Sequence, residues 1–153
     1  MGSEAPAKVA MVEISVLAHA TEDLGKVERA AMNVAPKDLQ SQISFSRQYL
    51  KGHHGNPIAA IKAKMRDEGL VNAVFSNLAL RLDEADKQRI SLEFDRYVDE
   101  SGTLYLRLDK QKAYMEIFKL KQEDPIKIML KLAAKHGVIQ DLNEAYRSLG
   151  LLK

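Results

Sequence analysis

Cysteine is absent from the 153 residues, and so is tryptophan. Without thiols there is no disulfide framework, no thiolate nucleophile and no cysteine-type zinc site, a usage that fits the cytoplasm. No apolar run approaches the roughly 20 residues of a membrane helix, and no secretory-leader pattern opens the chain. Neither sign of charge dominates: 23 Lys and Arg against 21 Asp and Glu leave a net +2. Binding to a polyanion is therefore not announced by total charge and needs a local concentration of positive side chains. Familiar catalytic strings are missing too. There is no Gly-x-Ser-x-Gly elbow, no Gly-x-x-x-x-Gly-Lys phosphate loop and no His-Glu-x-x-His.

What is present is the composition of a globular domain, 46% hydrophobic and 29% charged, and the length suits one core. Residues 1–8 read as a flexible tail and 9–153 as a single domain. Over Val9 to His19 the apolar positions alternate, with Val12, Ile14, Val16 and Ala18 on one face, as a half-buried strand requires. Thr21 suits a helix N-cap, and the helix it opens stops before Pro36. Strands are expected at Ile43 to Leu50 and Ile58 to Met65, and helices at Glu68 to Leu82 and, capped by Asp83, at Glu84 to Val98. Thr103 to Asp109 alternates cleanly, and Asp109 caps a short helical turn after it. Two more strands, Met115 to Lys121 and Ile126 to Leu132, and a last helix, Val138 to Leu149, complete the reading. Hairpin-length connections outnumber crossovers in this scheme. It describes an α+β fold, a largely antiparallel sheet with helices packed on one face.

Lys51-Gly52-His53-His54-Gly55-Asn56-Pro57-Ile58 joins two of these strands. Gly52 and Gly55 can adopt positive φ, Asn56 tolerates it, and Pro57 is placed at a strand start where its missing N–H costs least. The chain turns back here with two imidazoles at the tip. The same residues suit a plain solvated turn equally well.

If helices cover one sheet face, the other collects the outward residues: Glu13, Ser15 and His19, then Lys62 and Lys64, then Tyr105 and Arg107, then Lys127 and Lys131. That collection is basic although the total is balanced. Lys and Arg make phosphate contacts, and an exposed Tyr can stack on an unpaired base, so single-stranded or looped RNA suits such a face. Lysines on an exposed sheet are also simply a means of solubility. A metal site would draw on His19, His53, His54 and Asp109. Neighbouring residues of an extended chain point to opposite sides, however, so His53 and His54 do not converge naturally on one ion.

Three segments, Leu17-Ala18-His19-Ala20-Thr21-Glu22-Asp23, Gly52-His53-His54-Gly55-Asn56-Pro57-Ile58 and Leu104-Tyr105-Leu106-Arg107-Leu108-Asp109-Lys110-Gln111, together resemble a family of archaeal proteins described as RNA-binding, exosome-associated subunits. The resemblance spans roughly Val12 to Leu132. It implies a fold similar to that of a large-subunit ribosomal protein that binds 5S ribosomal RNA, RNA as partner, and contact with the exosome or other RNA-processing proteins. It supplies no catalytic residue and no cofactor.

The expected RNA-contacting set is His19, Lys51, His53, His54, Asn56, Lys62, Lys64, Tyr105, Arg107, Asp109, Lys110 and Gln111. In the sharpest form of this expectation, the hairpin tip and the end of the Arg107 strand meet beside His19. Arg107 and Lys110 then hold phosphate in one polar notch, while His and Asn contact bases or the 2′-hydroxyl. Two alternatives stay open: an assembly module or homodimer that uses the uncovered face or an edge strand, and a metal-dependent hydrolase.

Overall fold

The alternation over Val9–His19 becomes strand β1, the centre of the sheet. The computed structural model describes residues 9–52, 54–132 and 139–152. The tail expected at 1–8 and His53 lie outside the described residues. The other strands are β2 (Ser46–Lys51), β3 (Pro57–Met65), β4 (Leu104–Leu108) and β5 (Ile126–Leu132). Their order is β2-β3-β1-β5-β4, and every neighbouring pair is antiparallel.

Pairing on both sides of β1 sets the faces. Ile14 lies opposite Ala63 on β3 and Ile128 on β5, and Ile128 lies opposite Leu106 on β4. These residues are buried, with Ile14, Ile128 and Leu106 completely inaccessible. The helices pack over this apolar face: α1 (Leu24–Met32), α2 (Glu68–Arg81), α3 (Glu84–Leu92), α4 (Phe94–Tyr97), α5 (Lys110–Tyr114) and α6 (Ile139–Ser148). The architecture is α+β, with one covered and one open sheet face. No helix among the described residues is long and apolar enough to cross a membrane.

Several local expectations give way to specific competing contacts. Helix α1 is capped by Asp23, whose Oδ1 accepts from Lys26 N at 3.0 Å, and not by Thr21. The reason lies in Glu22: its N–H closes a turn on the His19 carbonyl, and its carboxylate accepts from His19 N at 2.9 Å. The expected strand 43–50 is shortened by a 3₁₀ turn at Lys37–Gln42, and the helix expected at 84–98 divides at Glu93.

Residues 115–121 form no strand beyond one bridge between Leu120 and Leu108. Glu116 takes φ 64°, a left-handed turn after α5 that breaks extended pairing. Its carbonyl accepts from Arg81 at 3.1 Å. Only the β2–β3 connection is of hairpin length; β4 and β5 are neighbours joined through α5, and the β1–β2 and β3–β4 connections, carrying α1 and α2 to α4, cross over other strands.

The two hairpin glycines serve different needs. Gly55 takes φ 79°, whereas a Cβ on Gly52 would fall 2.8 Å from the Ile58 side chain and 3.0 Å from the Asn56 carbonyl. Gly52 is required by space, Gly55 by backbone angle.

Tyr146 on α6 closes the far side of the core. It is fully buried, its ring lies 6.4 Å from Phe75 and 6.1 Å from Phe94, and its hydroxyl donates to the Leu130 carbonyl at 3.1 Å. Tyr146→Phe leaves that carbonyl short of one partner and is expected to cost roughly 1–2 kcal/mol. Tyr146→Ala also opens a cavity and should cost roughly 3–5 kcal/mol. Urea denaturation of the two variants measures both.

Candidate functional site

At the end of the sheet where β1 finishes, four segments of chain meet around one ammonium group. Lys110, the first residue of α5, has a side chain only 8% exposed. A buried lysine must find acceptors for its three donors or lose its charge. Nζ donates to the Leu17 carbonyl at 2.7 Å, to Glu22 at 3.1 and 3.2 Å, and to Asp124 Oδ2 at 3.0 Å. The other carboxylate oxygen of Asp124 accepts from His19 Nε2 at 2.9 Å, so that nitrogen carries the proton. Asp124 itself sits at φ 44°, a conformation Asp adopts more readily than most residues.

This clasp corrects part of the expected site. Lys110 is bonded to protein acceptors, so its amine is not free to hold phosphate. Asp109 caps α5, accepting from Lys112 N at 2.9 Å, and is not a ligand of the cluster. Arg107 does not join His19. It lies opposite Lys127, which lies opposite Ser15, four residues back along β1 and two strands away. At standard strand spacings that is a separation on the order of 15 Å.

The metal reading changes in the same way. Among the described residues, the atoms of His19, Glu22 and Asp124 lie within 4.8 Å of one another, a spacing suited to a cation. The Lys110 ammonium, however, already bonds both carboxylates, so an ion would have to displace it.

The open face brings together the other candidates. Pairing places Ser46, Lys62, Ser15, Lys127 and Arg107 in one row across all five strands. From Lys62 to Arg107 this row covers three strand spacings, roughly 14 Å. Lys64 on β3 and Tyr105 on β4 flank it, with Glu13 opposite Lys64 as the one acidic side chain of that stretch of β1. Tyr105 is half-buried. Its hydroxyl donates to Asp99 Oδ2 at 2.9 Å, a bond that raises the phenol pKa above its ordinary value. Lys127 Nζ stands 5.6 Å from the centre of its ring.

Lys51, His54 and Asn56 are exposed at the hairpin tip, beyond the His19–Ile58 pair. Gln111 is exposed beside a hollow of about 390 Å³ between α1 and α5, which Glu22 and Lys110 of the clasp also line, together with Tyr114 and Met115.

Sequence reasoning assigned no role to Asp124 and gave Glu22 only a place near a helix start. The one local signal for Asp124 is its position before Pro125 in a polar turn, and that turn says nothing of a partner 105 residues away.

The charge state of Asp124 gives the clasp a pH signature. Burial pushes its carboxyl up, but the hydrogen bonds from His19 and Lys110 outweigh that and hold it below its ordinary value of 3.8. A group whose folded pKa is depressed contributes stability above its unfolded value, and that stability is lost as pH falls through the folded value. The urea midpoint of the parent protein should therefore drop below pH 4 more steeply than that of Asp124→Asn. Lys110→Met leaves two neighbouring carboxylates uncompensated. Because Asp124 is 48% exposed, solvent screens part of the effect, and the expected loss is roughly 1–3 kcal/mol at neutral pH, read from the same denaturation curves.

Comparison with known proteins agrees with this architecture. The family model described as RNA binding matches residues 11–132. The RNA-binding protein PAB1135 of Pyrococcus abyssi is 31% identical over 139 residues, covering 87% of this chain and 90% of its own. The crystal structure of protein AF2318 from Archaeglobus fulgidus, assigned to DUF54, superposes with a TM-score of 0.79 at 29% identity over 93% of this chain and 99% of its own. A DUF54 protein from Methanothermobacter thermautotrophicus shares the fold, with a TM-score of 0.76 at 24% identity over 93% of this chain and 98% of its own. With the family model covering most of the chain and a relative matched over nearly its full length, this chain belongs to the family described as RNA binding.

Proposed function

We propose that the protein is a non-catalytic RNA-binding protein that contacts single-stranded or looped RNA through its open sheet face. The observation that carries this reading is the row Lys62, Lys127 and Arg107, flanked by Lys64 and Tyr105. Four cations on one side of a balanced protein make a local positive field. Their flexible stems suit phosphate contacts that follow a backbone without reading sequence. Tyr105 offers a ring face for a base once Lys127 swings from it to a phosphate. The hairpin tip, with Lys51, His54 and Asn56, extends the surface beyond His19 and offers contacts to bases or the 2′-hydroxyl; His53, expected beside them, lies outside the described residues. The family relationship and the name of the Pyrococcus abyssi relative support RNA as the partner.

The resemblance also implies a protein that works beside RNA-processing machinery such as the exosome, and the lack of cysteine fits a cytoplasmic setting for it. Edge strand β2 suits the protein side of such an association: all six of its residues are exposed, Tyr49 and Leu50 among them. An unprotected edge with apolar side chains is a template for pairing with another chain, and the same feature favours a homodimer as the second reading. Light scattering separates these, since a strict monomer removes the homodimer.

Filter binding to a labelled single-stranded RNA at several salt concentrations tests the main reading. With about four phosphates contacted, the slope of log K against log salt should lie near −3. Arg107→Ala and Lys127→Ala should each weaken binding and flatten the slope by about 0.7. An absence of RNA binding at low salt, or a slope that neither substitution changes, would overturn the assignment to this face.

A further inference from the structure

Beyond the edge of β4 the surface folds into a cleft of about 410 Å³, lined by Arg89, Glu93, Arg96, Tyr97, Arg107 and Gln122. Three arginines against one carboxylate give the lining a formal charge of +2. Such a cluster lacks mutual attraction and is ordinarily dispersed or paired. Between the described residues of this lining the one ion pair is Arg96 with Glu93, at 3.5 Å and well exposed. The guanidinium groups of Arg89 and Arg107 have no protein acceptor among the described residues. Guanidinium groups present forked donors that match the oxygens of a phosphate.

A second observation, independent of the charge, points the same way. Tyr97 is only 6% exposed, and its hydroxyl has no hydrogen-bond partner among the described residues. Buried hydroxyls are nearly always bonded, because desolvation of an unpaired one is costly. Burial raises the Tyr97 pKa above its ordinary value of 10.0, so the group remains a protonated donor at neutral pH.

The geometry points to a phosphomonoester pocket in this cleft, occupied by the phosphorylated terminus of an RNA strand. The source of the phosphate rests on the RNA-binding reading; the pocket's chemistry does not. Two features favour a terminus over an internal linkage. A monoester carries close to two negative charges at neutral pH, where an internal diester carries one, and the lining is +2. The cleft also lies where the basic row ends, since Arg107 is at once the last cation of that row and part of the wall. A strand crossing the sheet from Lys62 through Lys127 arrives there with its end. The volume exceeds what a phosphate alone requires and falls in the range of small-ligand sites, so the terminal nucleotide enters with it.

The test uses one short RNA, labelled internally and prepared with a 5′-phosphate, a 3′-phosphate or hydroxyls at both ends. Fluorescence anisotropy should show one phosphorylated form bound roughly tenfold more tightly than the hydroxyl form, in line with a charge-assisted contact. Arg89→Ala should erase that preference while leaving affinity for the hydroxyl form nearly intact, and Tyr97→Phe should reduce it without unfolding the cleft. Equal binding of all three RNAs, unaffected by Arg89→Ala, would overturn the proposal. Titration with adenosine monophosphate, followed by the NMR signals of the arginine side chains, separates the two sources. Shifts at Arg89 with no RNA binding would uphold the phosphomonoester pocket with a free mononucleotide as its ligand and reject the RNA reading. No response to either ligand would reject the pocket.

Discussion

Pairing of β1 on both of its edges governs the rest of the molecule. A central antiparallel strand has no freedom of register once one face is buried, because a slip of one residue would exchange its apolar and polar sides. Ile14 is inaccessible between Ala63 and Ile128, so Ser15 must lie in the open between Lys62 and Lys127. The cations that line up across the sheet do so as a consequence of core packing. No attraction among them is needed, and their mutual repulsion is borne by a well-packed opposite face.

The end of the sheet near His19 obeys a different constraint. Lys110 enters the interior at the start of α5 and is compensated there by two carboxylates and a main-chain carbonyl. Those acceptors come from the end of β1, the turn after it and the turn before β5, so one ammonium ties together elements that the sheet ladder leaves free. The clasp has a second effect. It offsets one of the two carboxylate charges gathered at this end of the sheet. Polar residues thus form a structural group held by hydrogen bonds at one end of the sheet and a row of cations across its open face.

Fold similarity alone would not distinguish binding from catalysis, because one scaffold hosts many sites. His19, the one imidazole inside a polar cluster among the described residues, has its Nε2 engaged by Asp124, and the neighbouring carboxylates are taken by Lys110. On the open face Lys62, Lys64, Lys127 and Arg107 have no carboxylate partner among the described residues, while Tyr105 is held by Asp99 and Lys127.

Much of the fold was legible along the chain. The alternation of β1 and β4, the caps at Asp83 and Asp109, the hairpin at residues 52–57 and the outward lysines all depend on nearest neighbours, and each is found where those patterns put it. The run 115–121 misled because its alternation does not match its burial: Met115 and Ile117 are exposed, and Glu116 turns the backbone out of any sheet. Strand order was out of reach, and with it the partners of Lys110, the distance between Arg107 and His19, and the approach of Arg89 and Arg96 to Arg107. Residue periodicity is a property of the local backbone and is determined by the sequence itself. Which strand lies beside which is decided by long-range burial, and only that choice brings residues some 90 or 100 positions apart into hydrogen-bonding distance.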